Sequence, residues 1–153
     1  MTPEDFLDQV VTTNVVKLGE NRGSLRHAVN AILSLDAFAG ILFADVQLKG
    51  RAQCREDIAF REMLAVESPE FRLVRDAAFA LKHGELIGKL PRLVRAAKQV
   101  AAHDGGFDPS AFNSGFDTEK VVWIDADERQ PADAVALAVL VLLQKLPARY
   151  ART

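Results

Sequence analysis

The residues best suited to chemistry lie together in one stretch, Phe71 to Leu86, FRLVRDAAFALKHGEL. On a helix, positions seven apart differ by about 20° in azimuth, so they stack on one side two turns apart. Arg75 then stands above Lys82, and Asp76 above His83, opposite an apolar stripe of Ala77, Ala78 and Leu81. A guanidinium, a carboxylate and a titratable imidazole on one strip are the residue types of general acid–base work, which makes Arg75, Asp76 and His83 the candidate catalytic residues. The same pattern also describes the solvent side of an amphipathic helix that ends in a cation, His83 beside Gly84.

A second polar strip lies upstream. Arg26 and Asn30 are four apart, and His27 and Ser34 seven apart, within a run of otherwise apolar sequence. Asn30 and Asp36 need partners if that run is buried, because buried polar groups are hydrogen-bonded. Neighbouring helices supply such partners in the simplest arrangement. In the sharper one, Arg26, His27 and Asn30, with Lys82, are binding residues that meet Arg75, Asp76 and His83 across the bundle in a shared pocket.

Other chemistries find no pattern. His27, His83 and His103 are too scattered for a metal-ligand set, and Cys54 has no CxxC partner. No GxGxxG, GxxxxGK[ST] or Gly-x-Ser-x-Gly element is present, so neither a phosphate-cradling loop nor a nucleophile elbow is indicated. No metal and no cofactor are expected.

The elements that must position these residues are helical. Leu25 to Leu48 is apolar on almost every face and predicts the core helix of a soluble bundle. Its least polar part carries Asn30, Ser34 and Asp36, and is shorter than the ~20 apolar residues of a membrane span. Thr2-Pro3-Glu4-Asp5 starts a helix that runs to Leu18 on the apolar positions Phe6, Leu7, Val10, Val11, Val15 and Leu18. A shorter amphipathic helix follows over Cys54 to Val66, with Ile58, Phe60, Met63 and Leu64 inward and Arg55, Glu56, Asp57, Arg61 and Glu62 mostly outward. Ser68-Pro69 opens the helix that carries the candidate catalytic residues, ending at His83 and Gly84.

From Pro91 through LVRAAKQVAA a further helix is predicted, with an irregular or extended arm as the alternative. Residues 103–118 read as a loop pinned by Phe107, Phe112 and Phe116, with a lid as a second reading. Lys120 to Asp125, KVVWID, is the one convincing strand. Its partner is expected around Arg129 or in an extended part of the preceding loop. Pro131 opens the last helix, whose Ala134 to Leu143 is uninterruptedly apolar and must pack on the central helix, form a subunit interface, or both. The fold class is thus mainly α: an up-down helical bundle with a small C-terminal β element. One domain over residues 1–153 is expected, divided into core bundle 3–102, loop 103–118, and strand plus helix 119–147.

A chain of 153 residues with 49% hydrophobic and 26% charged residues has the composition of a globular domain. Its net charge of −2 gives no general attraction to phosphate backbones. A single cysteine and an acidic N-terminal stretch fit a cytoplasmic protein without a secretory leader, and no membrane partner is expected.

Helices in this order, with RDAAFALKH on the fourth, resemble the bundle proteins of the HEPN superfamily, which includes metal-independent ribonucleases of toxin–antitoxin and defence systems. Active members have an arginine, usually followed by a polar residue, and then a histidine, with four to six residues between arginine and histidine; here seven residues separate Arg75 and His83. The segment also resembles a group of uncharacterised bacterial proteins with an R-D-x-A-N-x-x-K-H element, Phe79 standing where that group has asparagine. The resemblance implies a ribonuclease in which His83 moves a proton at the 2′-hydroxyl or leaving oxygen, Arg75 stabilises phosphorane charge and Asp76 orients one of them. RNA is a partner only in that case. The residues themselves favour a small interaction or accessory module, homodimeric or docked to another protein. A small-ligand site between helices, covered by the Phe107 to Phe116 loop, is the third possibility.

Overall fold

Hydroxyl side chains set three helix starts where the sequence predicts them. Thr2 accepts from the Asp5 amide at 3.1 Å while the Asp5 carboxylate accepts from the Thr2 amide at 3.0 Å, a reciprocal capping box. Ser24 accepts from the His27 amide and Ser68 from the Phe71 amide, with Pro69 at the first helical position. At the other end, Gly50 and Gly84 follow their helices with φ of 70° and 78°, a backbone region that favours glycine.

The computed structural model describes residues 1–86, 92–104 and 120–151. Helix α1 (Pro3–Phe6), a π-helical run (Leu7–Thr12) and α2 (Thr13–Glu20) follow one another directly, and α3 (Leu25–Leu48), α4 (Asp57–Glu67) and α5 (Pro69–His83) come next. Strands β1 (Val100–Asp104), β2 (Lys120–Asp125) and β3 (Arg129–Pro131) form an antiparallel sheet in the order β1-β2-β3, and α6 (Ala132–Leu143) and α7 (Leu146–Ala151) close the chain. The fold is mainly α with a small β element near the C-terminus, as expected.

Helix α3 is the central post. Ala28, Ala31, Ile32, Leu35, Phe38, Ala39 and Leu42 are buried along it, and it packs against α1, the π-helical run, α2, α4, α5, α6 and β1. By length and composition alone this helix is apolar enough to cross a membrane. Here 56% of its most apolar stretch is buried against the neighbouring elements, while Leu25 and Leu48 at its ends are exposed.

The helix expected from Pro91 does not form in the described part of that region. Ala97–Gln99 makes a single 3-10 turn and Val100 begins β1, while positions 87–91 lie outside the described residues. Alanine helix propensity amounts to only tenths of a kcal/mol per residue over its rivals, so tertiary pairing overrides it. Arg129–Pro131 supplies the expected ladder on one side of KVVWID; on the other the partner is β1, which takes His103 and Asp104 from the expected loop but Val100, Ala101 and Ala102 from the segment expected to be helical. Val100, Val122 and Ile124 then bury their side chains beneath the sheet. His103 and Asp104, expected to open the loop, belong to β1. The remainder of that loop, with Phe107, Phe112 and Phe116 and the lid reading, lies outside the described residues.

The α2–α3 connection is pressed onto the sheet. The Val122 amide donates to the Arg22 carbonyl at 2.8 Å, and a Cβ at Gly23 would stand 2.6 Å from the Lys120 carbonyl oxygen. Only glycine allows that approach. On the opposite side, α7 lays Tyr150 against Phe60, with ring centroids 5.9 Å apart, and burial pushes the Tyr150 phenol up. Ile58, expected inward on α4 with Phe60, Met63 and Leu64, points outward at 67% exposure, because it lies about 200° around the helix from Phe60, which with Leu64 holds the core side.

Candidate functional site

Asp76 is completely buried, and all of its acceptor capacity faces the protein. One oxygen accepts from Arg75 Nε at 3.0 Å, Arg75 Nη2 at 2.9 Å and Arg92 Nη1 at 2.8 Å; the other accepts from the Leu93 amide at 2.8 Å. Arg75, 3% exposed, sends Nη1 to Glu62 Oε1 of α4 at 2.7 Å. Two arginines and two carboxylates therefore form a neutral set. Its effect is to fasten the chain beyond α5 back along that helix: Arg92 lies over the Phe79 ring at 4.7 Å, Leu86 donates to the Arg95 carbonyl and Ala97 to the Gly84 carbonyl, each at 2.7 Å.

A second set of charges surrounds Asp36 on α3, which is 1% exposed. Arg61 Nη1 donates to Asp36 Oδ1, and to the Asp36 carbonyl at 2.7 Å, while its Nε donates to both Asp57 oxygens at 3.0 and 2.9 Å. Lys82 Nζ reaches Asp36 Oδ2 at 2.8 Å, so this set too is neutral. Gly40 makes room for the arginine, since a Cβ there would stand 2.5 Å from Arg61 Nη2. Through these bonds α3, α4 and α5 are tied around buried charge, which is costly to leave unpaired.

The candidate catalytic residues are thus divided. Arg75 and Asp76 are together, but inside the protein, rather than on the solvent side that a simple amphipathic reading gives them. His83 is exposed at the end of α5, its ring 5.7 Å from that of Phe79. Eight residues set His83 about 12 Å along the axis and about 80° around it from Arg75. Of the candidate binding residues, Lys82 joins Asp36. Arg26 and Asn30 are exposed, so Asn30 does not need the buried partner expected of it, and His27 is half-buried with its Nδ1 unbonded among the described residues. No hydrogen bond or ion pair connects these three with Arg75, Asp76 or His83 among the described residues.

Sequence reasoning missed Arg61, Glu62 and Arg92. The amphipathic pattern sets Arg61 and Glu62 outward, and nothing local marks Arg92 as the partner of a residue sixteen positions earlier. Gly40, a glycine inside an otherwise strong helix, is the readable signal for the Arg61 approach.

Among the other described residues the chemistry is sparse. On the sheet, Asp125 accepts from Arg129 Nε at 2.5 Å and lies 3.6 Å from His103 Nε2, while Arg129 stands over the Trp123 ring at 5.8 Å. Burial, and then the Asp57 charge, push the Cys54 thiol up, away from the thiolate that nucleophilic chemistry requires. Among the described residues no three His, Cys, Asp or Glu side chains are grouped to hold a metal.

The surface holds one more feature. Helix α6 buries Val135, Ala136, Val139, Leu140 and Leu143, yet Ala134, Leu137, Ala138 and Val141 are exposed, Leu137 at 57% and Val141 at 44%. These four fall at i, i+3, i+4 and i+7 and form one apolar stripe about 10.5 Å long. No family model, curated protein or solved structure matches the chain, so the HEPN resemblance rests on RDAAFALKH and the helix order alone.

Proposed function

We propose that this protein is an interaction module whose docking surface is the outward stripe of α6. The observation that supports it is the purely apolar line Ala134, Leu137, Ala138 and Val141, four exposed positions on one helix face with no polar residue among them. Apolar surface at helical spacing is the pattern of helix-to-helix docking, whereas single scattered hydrophobes carry no such meaning. The charged residues of α4 and α5 have a different task. They hold α3, α4, α5 and the returning segment together, and both oxygens of Asp76 are already engaged by protein donors. A general base or an anchoring arginine has to reach its substrate, which Arg75 and Asp76 do not do in this arrangement.

A photo-crosslinking residue in place of Leu137, in cells that produce the chain, tests this reading. A discrete adduct of defined mass is expected, and none from the same residue placed at the exposed Gln9 of the π-helical run. Absence of an adduct from position 137, or equal adducts from both positions, would remove α6 as a docking surface.

A further inference from the structure

Building on that reading of α6, we infer that the occupant of the stripe is a second copy of this chain, packed antiparallel about a two-fold axis that passes between Leu137 and Ala138. The order of side-chain sizes along the stripe carries the first part of the argument. Read from the N-terminal end it runs Ala134, Leu137, Ala138, Val141, small, large, small, intermediate. In an antiparallel pair centred on the middle of the stripe, Leu137 meets Ala138 of the partner subunit and Val141 meets Ala134 of the partner subunit. Every bulky side chain then faces an alanine, the alternation that lets two helices interdigitate. A parallel pair sets leucine on leucine and alanine on alanine, which holds the helices apart at one level and leaves a gap at the next.

Charge supplies the second part. One turn beyond Val141 stands the exposed Lys145, while the turn that leads through β3 into α6 carries the exposed Asp127 and Glu128, with the intervening Arg129 already paired to Asp125. An antiparallel pair brings the basic end of each helix to the acidic end of the other and opposes their macrodipoles. The stripe itself carries no charge, so pairing desolvates none. A two-fold contact of this kind uses the same patch on both copies and closes at two, without leaving a sticky face for filament growth. An interface built on a stripe this short belongs to the small class, and dissociation on the order of micromolar is expected.

Light scattering of the full purified chain over a micromolar concentration series tests this. A mass approaching twice 16.8 kDa at the upper end is expected. Leu137→Glu is expected to weaken the pair by about 30-fold or more, as for a central interface residue, with unchanged circular dichroism because the side chain is exposed. Lys145→Glu is expected to weaken it several-fold, and Lys145→Glu combined with Asp127→Lys and Glu128→Lys to restore it. A parallel pair would not give that rescue. A chain that stays monomeric while position 137 still gives an adduct of another mass in cells overturns the second copy and leaves α6 as the docking surface. A dimer indifferent to Leu137→Glu overturns both.

Discussion

Asp76→Ala is expected to lower the unfolding free energy by about 3–5 kcal/mol, the range for removing one partner of a buried ion pair. The reason lies in what stays behind. Arg75 remains 3% exposed with Glu62 as its carboxylate among the described residues, and the Leu93 amide and the Arg92 guanidinium lose their Asp76 acceptor at once. The loss is expected to be larger than that of Arg92→Ala, because among the described residues Arg92 makes one of four hydrogen bonds to Asp76 and its removal leaves a carboxylate with three donors. Equilibrium denaturation of both single variants and of the pair gives the coupling; an interaction of about 1–3 kcal/mol is expected for groups in direct contact. A loss below about 1 kcal/mol for Asp76→Ala, in the range of ordinary surface changes, would show that the segment from Arg92 to Ala97 is held by something else.

Asp36→Ala is the second large effect, about 2–3 kcal/mol, near the value of hydrogen bonds to a charged group whose loss leaves other charges behind. It is expected to be smaller than the Asp76 effect for a geometric reason. Arg61 keeps both bonds to Asp57 and the bond to the backbone carbonyl of residue 36, and Lys82, with a side chain 45% exposed, turns to water when the carboxylate is gone. Thermal and denaturant unfolding with Asp36→Asn alongside separates charge from shape: if the charge matters, asparagine recovers only part of the loss. Full recovery by asparagine would mean that shape and hydrogen bonding, and not the paired charge, hold α3 to α4 and α5.

Much of this framework is legible in the amino-acid sequence. The span Leu25–Leu48 and the span Pro69–His83 follow from caps and glycines, because Ser24, Ser68, Pro69, Gly50 and Gly84 each satisfy or release specific backbone groups at a helix end. The need of Asp36 for a partner is equally readable, since a carboxylate in the middle of an apolar helix has no other way to be buried. The identity of those partners is not. Arg61 and Lys82 come from α4 and α5, and their bonds depend on how three helices pack, which no periodicity encodes. Arg75 and Asp76 mislead for a related reason: on α5 the side opposite Ala77 and Ala78 is covered by the chain's own return through Arg92 and Leu93. Pattern reading assigns such a side to water.

The stretch from Arg92 to Asp104 shows the other limit. Its alanines favour a helix locally, and the competing ladder to β2 is made with residues some twenty positions away. Long-range pairing of this sort decides between two conformations that differ by little per residue. The π-helical run Leu7–Thr12 has no signal in the apolar spacing either, since the same positions predict an ordinary α-helix.

The choice between an interaction module and a ribonuclease is decided most directly by incubating purified protein with a labelled generic RNA in chelator and comparing it with His83→Ala and Arg75→Ala. No cleavage that depends on these residues is expected. His83→Ala is expected to alter stability by less than about 0.5 kcal/mol, as for an exposed side chain. Metal-independent cleavage that disappears in both variants, with His83→Ala still fully folded, would contradict the interaction reading and make α5 the working part of the protein.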